Sequence, residues 1–105
     1  MTIGVVRFAP NSTRIGADEL QQIRQAAQLR QQNGGNIRVT VYSMPSGARD
    51  AAAAELDGFA LAMDRARAVA VALTSAGVPA RSIETGAAPA SVAEDGGVAA
   101  LTLEY

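Results

Sequence analysis

The chain of 105 residues contains no cysteine, no histidine, no lysine and no tryptophan, and only 4 % of it is aromatic. Without cysteine it has neither a disulfide framework nor a thiol nucleophile. Lacking both histidine and cysteine, it cannot assemble the common ligand sets for zinc and iron. The same absence excludes Ser-His-Asp and Cys-His nucleophilic schemes. No glycine-rich phosphate loop follows a strand, and the pairs Gly34-Gly35 and Gly96-Gly97 read as turns. A non-catalytic protein without metal or cofactor is therefore expected. No apolar run is long enough to span a bilayer, so direct membrane insertion by this segment is not expected. Met1-Thr2-Ile3-Gly4-Val5-Val6 lacks the charged start of a secretory signal. Composition alone fits a cytoplasmic protein or one domain of a longer exported chain.

What is present is a large apolar fraction, 49 %, much of it alanine. One domain of this length can bury a single core, here built from Val, Ile, Leu and close-packed Ala. Nine basic residues, all arginine, face ten acidic ones for a net charge of −1. There is no basic run and no aromatic platform, which argues against a nucleic-acid partner.

Along the chain, residues 3–8 are short and β-branched and predict a first strand. A helix follows over 17–32, with Asp18 and Glu19 in its first turn and a thin apolar stripe of Leu20, Ile23, Ala26 and Ala27. Residues 33–36 stop it. Residues 37–43 alternate, with Ile37, Val39 and Val41 on one face and Arg38, Thr40 and Tyr42 on the other, as a strand requires. Asp50 predicts an N-cap for a helix beginning at Ala51, which Gly58 is expected to kink or divide. From there the main helix places Phe59, Ala62, Ala66, Val69 and Leu73 on its inner face. Asp64, Arg67 and Val71 point away, and Arg65 falls on the border, with Gly77 and Pro79 ending the helix. A third strand is expected around 81–84, a loop over 85–91, a turn over 94–97, and a closing strand over 98–105 with Leu101, Leu103 and Tyr105 on one face.

The order β-α-β-α-β-β predicts an α+β two-layer sandwich, a mixed four-stranded sheet with both helices on one face. The first crossover predicts that strands one and two are parallel neighbours, and the last two strands are expected to form an antiparallel hairpin. One domain over residues 1–105 is expected, as part of a longer protein.

Four segments, in order, resemble the OmpA-like C-terminal domain, the periplasmic peptidoglycan-associating module of Gram-negative envelope proteins and flagellar stators. Val5-Val6-Arg7-Phe8 with Asn11-Ser12 resembles the family's opening strand and turn, and Ile37 to Ser43 its second strand, which runs into a ligand loop. Leu61-Ala62-Met63-Asp64-Arg65-Ala66-Arg67-Ala68-Val69-Ala70-Val71-Ala72-Leu73 is similar to the helix pattern Leu-Ser-x-x-Arg-Ala-x-x-Val-x-x-x-Leu, with Ala62 at the Ser. Gly77 to Ile83 resembles the approach to the third strand. The resemblance implies the same sandwich and a periplasmic, cell-envelope location. It also implies association with the peptidoglycan stem peptide, whose diaminopimelate ends in an ammonium and a carboxylate.

In the family an Asp after the second strand takes the ammonium, and the Arg of the Arg-Ala pair takes the carboxylate in a planar contact. Carried onto this chain, the implied contacts are Arg65, Ser43 at the end of the second strand, and Asp50 or Asp57 from the stretch before the helix. Met44 stands where the family Asp belongs, Asp57-Gly58 where a Tyr-Asn pair is usual, and Val98-Ala99 where a pair of Arg commonly begins the last strand. The alternative expectation is the same scaffold with a vacated ligand site, a protein-interaction domain in an envelope assembly with Met44, Pro45 and Phe59 as contact surface.

Overall fold

The computed structural model describes residues 2–9, 12–43, 50–89 and 97–104. Its elements are β1 (Thr2–Arg7), α1 (Ala17–Asn33), β2 (Asn36–Ser43), α2 (Ala51–Ser75), a 3-10 turn (Ala80–Ser82), β3 (Ile83–Pro89) and β4 (Val98–Glu104). They form a four-stranded mixed sheet in the order β1-β4-β2-β3. Both helices cover one face, giving the α+β sandwich that the sequence predicts.

The sheet order corrects two expectations. β4 is not the second arm of a hairpin with β3; it lies between β1 and β2 and runs antiparallel to both. β1 and β2 point the same way but are not neighbours, and the parallel pair is β2 with β3. The physical reason lies in β4 itself. Its Ala99, Leu101 and Leu103 are buried, a pattern that suits a central strand paired on both edges, not a margin. β3 also runs further than expected, through Thr85, Gly86, Ala87 and Ala88 to Pro89. Gly and Pro read as breakers, yet on an edge strand a terminal proline forfeits no interior ladder bond.

α2 covers β2 and β3, burying Ala62, Ala66, Val69 and Leu73, while Ile23, Ala26 and Ala27 of α1, packed on the β1 side, close the other half of the core. Burying each Leu or Ile side chain contributes about 1.5–3 kcal/mol. The opposite face of the sheet stays open and carries Arg38 between Glu84 (3.1 Å) and Glu104 (3.2 Å). Half-exposed pairs of that kind add little stability.

α2 is one continuous helix of 25 residues, about 37 Å long at 1.5 Å per residue. Asp50 caps it as expected, its carboxylate accepting from the Ala52 N–H at 3.0 Å. Gly58 neither divides nor ends it. That glycine is buried on the inner face, so its missing side chain is a packing feature. The inner face therefore runs through Gly58 and Ala62, and Phe59, one position round, is 50 % exposed and not in the core. The helix ends in a Schellman motif: Val78 N–H donates to Leu73 O and Gly77 N–H to Thr74 O, both at 3.1 Å. Gly77 takes φ +104 there, and the paired apolar contact is supplied by buried Leu73 and Val78. Tyr105, the turn residues 94–96 and the loop residues Met44 and Pro45 lie outside the described residues.

Candidate functional site

The side chain that stands out against the core is Arg65. It sits midway along α2, flanked in the burial pattern by Ala62, Ala66 and Val69, and is only 6 % exposed. The border position expected from periodicity is therefore a buried one. α-Helical side chains lean toward the helix N-terminus, and here the long stem carries the guanidinium out to the end of the sheet, where β1 stops and β4 begins.

Two pieces of backbone and one aromatic ring meet there. The chain leaving β1 offers two carbonyls: Arg65 Nε donates to Ser12 O at 2.9 Å and Nη2 donates to Ala9 O at 3.0 Å. The Phe8 ring lies with its centroid 5.2 Å from Arg65 Cζ, within cation–π range. Gly97 closes the third side. Its N–H donates to Tyr42 O at 3.1 Å, and its carbonyl accepts from Phe8 N–H at 3.0 Å. It thus ties β1 and β2 together just before β4 starts, at φ +80.

The electrostatics follow from this packing. Burial pushes the Arg65 pKa below its ordinary value, because removal from water disfavours the charged form. An arginine nevertheless stays cationic in a protein. The ion pairs among the described residues join Arg38 to Glu84 and Glu104 and Arg67 to Asp64. Among the described residues, then, Arg65 is met by carbonyl dipoles and a ring face, not by a carboxylate. A buried, oriented guanidinium of this kind can meet an anion, and a carboxylate matches its planar geometry.

The other residues implied by the sequence are distributed around this centre. Ser43 ends β2 next to Tyr42, whose carbonyl holds Gly97, and its hydroxyl reaches Ala88 O at 3.4 Å. Asp57 is exposed on α2, eight residues before Arg65, about 12 Å along the axis. Asp50 is engaged as the helix cap, fifteen residues and about 22 Å from Arg65. Only Ser43 belongs to a strand end that the site itself uses. Met44 lies outside the described residues. Sequence reasoning missed Phe8, the Ala9 and Ser12 carbonyls, and Gly97 as parts of one site. The Phe8-to-Ser12 turn was a signal; for Gly97 there was none beyond turn propensity. Two surface depressions formed by described residues lie elsewhere, one beside Arg38, Thr40 and Glu84, the other beside Val5 and Asp18. No helix among the described residues is long and apolar enough to cross a membrane.

Comparison with known proteins places this geometry in context. The sequence model of the OmpA family matches residues 7–97. Among solved structures, the OmpA-like domain of FopA1 from Francisella tularensis superposes with a TM-score of 0.77 at 18 % identity, over 93 % of this chain and 69 % of that one. The peptidoglycan-associated lipoprotein from Burkholderia pseudomallei gives 0.76 at 21 % identity, over 96 % of this chain and 90 % of that one. The periplasmic domain of MotB gives 0.58 at 15 % identity, over 95 % and 59 %. At such identities the superpositions speak for the fold alone. No curated protein sequence matches.

Proposed function

The chain belongs to the OmpA family, and on that premise we propose that it is a non-catalytic, periplasmic cell-envelope domain that associates with peptidoglycan by binding the free end of a stem peptide at Arg65. The observation that carries this reading is the buried guanidinium that no described carboxylate neutralises. A diaminopimelate end group supplies the missing carboxylate. Its ammonium then needs an acid. Asp57 is the nearer of the two candidates along α2, with Asp50 beyond it and Ser43 at the rim. Failure to meet that ammonium forfeits a charge-assisted hydrogen bond of roughly 1.5–3 kcal/mol, about ten- to a hundredfold in affinity. Two of the similar structures bear names that agree with this reading, a peptidoglycan-associated lipoprotein and a periplasmic MotB domain.

The test is co-sedimentation with purified sacculi for the wild type, Arg65→Lys and Asp57→Asn, each first shown to be folded by circular dichroism. Retention of the wild type, with loss in Arg65→Lys and weakening in Asp57→Asn, supports the assignment. Absence of wild-type retention refutes it.

A second reading is favoured by one observation. Leu56 and Phe59 are 70 % and 50 % exposed, about one turn apart on α2, which suits contact with another envelope protein. In that case sacculi fail to retain the domain, and substituting this pair disrupts the assembly.

A further inference from the structure

The sheet has two margins, and they differ. On the β1 margin the ladder to β4 is interrupted between Thr2 and Gly4, and Arg7 is exposed at the strand end. Bulges and charged side chains are the usual means of keeping an edge from pairing with another chain. β3 lacks both. It pairs with β2 in unbroken register from Ile83 to Pro89, and its outer row of backbone groups has no strand partner among the described residues. Its one charged side chain, Glu84, is held by Arg38 at 3.1 Å over the open face of the sheet. Glu84 and Thr85 are exposed.

The helix layer completes this margin. α2 lies against β2 and β3 alike, and Arg65 leaves it toward the end of β1. Across the core face from Arg65, about 120–160° round the helix, come Phe59, Met63 and Ala70. They stand on the flank above the free edge of β3. Phe59 is 50 % exposed there, and Met63 and Ala70 are half-buried.

We propose that this margin is a self-association surface, on which β3 pairs antiparallel with the β3 of a second copy of the chain. The two-fold axis stands normal to the sheet, so two four-stranded sheets become one and the helices stay on one face. Identical edges related in this way match each other's donors and acceptors. The helix layer agrees in distance. With strands about 4.8 Å apart, helices centred over the β2–β3 interval of each copy stand about 10 Å from axis to axis, the spacing at which helices pack. A foreign strand would pair with the edge and leave the Phe59 flank uncovered, whereas a second copy covers both. The contact is about 23 Å long and about 20 Å deep, roughly 900 Å² over both copies, which is the size of a weak, reversible interface. The proposal does not depend on what Arg65 binds.

Sedimentation equilibrium over a range of protein concentrations, with amide hydrogen exchange alongside, tests it. The wild type is expected to pass from monomer to dimer below millimolar concentration, and alternate amides of β3 to gain protection as it does. The variant Thr85→Lys with Gly86→Lys sets four cations along the seam. Thr85 is exposed, and a Cβ on Gly86 meets nothing within 4 Å, so the monomer accommodates both. Self-association should weaken at least tenfold at unchanged thermal stability. Gly86→Val, which keeps the edge uncharged, should associate like the wild type.

The inference is overturned if the wild type stays monomeric at millimolar concentration, if it dimerises without protecting β3, or if the double lysine variant associates like the wild type. It is also overturned if β3 amides gain protection only when a threonine- and valine-rich peptide is added, because the edge then belongs to a foreign strand.

Discussion

Replacing Arg65 with Met keeps most of the buried stem and removes the fork, which isolates what the guanidinium does for the fold. Two hydrogen bonds from a charged donor are lost, to Ser12 O at 2.9 Å and Ala9 O at 3.0 Å. Bonds of this type contribute about 1.5–3 kcal/mol each. The lower end applies here, because Ala9 is exposed and Ser12 half-buried, so water can re-satisfy part of what is lost. The ring contact with Phe8 adds about 0.5–1 kcal/mol. Against these losses, the uncharged methionine side chain no longer holds a cation out of water, and relief of that desolvation offsets part of the total. The net expectation is a destabilisation of about 2–3 kcal/mol, or roughly 8–24 °C in Tm for a domain near 100 residues. Arg65→Lys, which keeps the charge but not the planar fork, should lose about half as much. Urea denaturation followed by circular dichroism measures both. An Arg65→Met protein as stable as the wild type, or more stable, would show that the fork does not hold the β1–α1 turn. The same arithmetic explains why an Arg65 variant must be shown to be folded before its loss of ligand binding is interpreted.

Asp50→Ala removes the side-chain cap of α2 and should lower stability by about 1 kcal/mol, read as a shift in urea midpoint at unchanged slope. Leu56→Gln with Phe59→Gln replaces two exposed side chains and should change stability by less than about 1 kcal/mol. A larger loss in calorimetry would place Phe59 in the core after all. The chain has no histidine, and the lowered pKa of Arg65 sets the sign of its pH effect. A base that binds its proton less tightly when folded makes stability rise as pH climbs through its folded pKa. For arginine that rise belongs to strongly alkaline solution, so the midpoint should show no Arg65-linked change between pH 6 and 9.

The fold was legible where periodicity and capping chemistry agree. The alternation of residues 37–43 gave β2 and its buried face of Ile37, Val39 and Val41, and Asp50 and Gly77 marked the two ends of α2. What periodicity could not give was the neighbour of each strand. Whether β4 pairs with β3 or slips between β1 and β2 is settled by long-range pairing, to which local spacing is blind. Phe59 was misplaced because an apolar residue at plausible spacing was preferred to Gly58 as the inward position, yet a glycine can occupy a core-facing position without a side chain.

For the candidate site, the Arg-Ala pair at Arg65-Ala66 pointed to the side chain that the fold buries against the chain leaving β1. Its companions are mostly backbone groups, the carbonyls of Ala9 and Ser12 and the glycine at 97. Backbone groups carry no residue-type signature, and they come from positions more than thirty residues away in the chain. That is why the helix motif was readable and the cradle around it was not.

The most direct measurement is calorimetric titration of the folded domain with two stem peptides that differ only at the third position, diaminopimelate in one and lysine in the other. The two end groups share the ammonium and differ by the single carboxylate that Arg65 is held to receive. At least tenfold tighter binding of the diaminopimelate peptide, abolished in Arg65→Lys, is the expected result. Equal affinity for the two peptides, or a preference untouched by Arg65→Lys, would contradict a carboxylate receptor at Arg65.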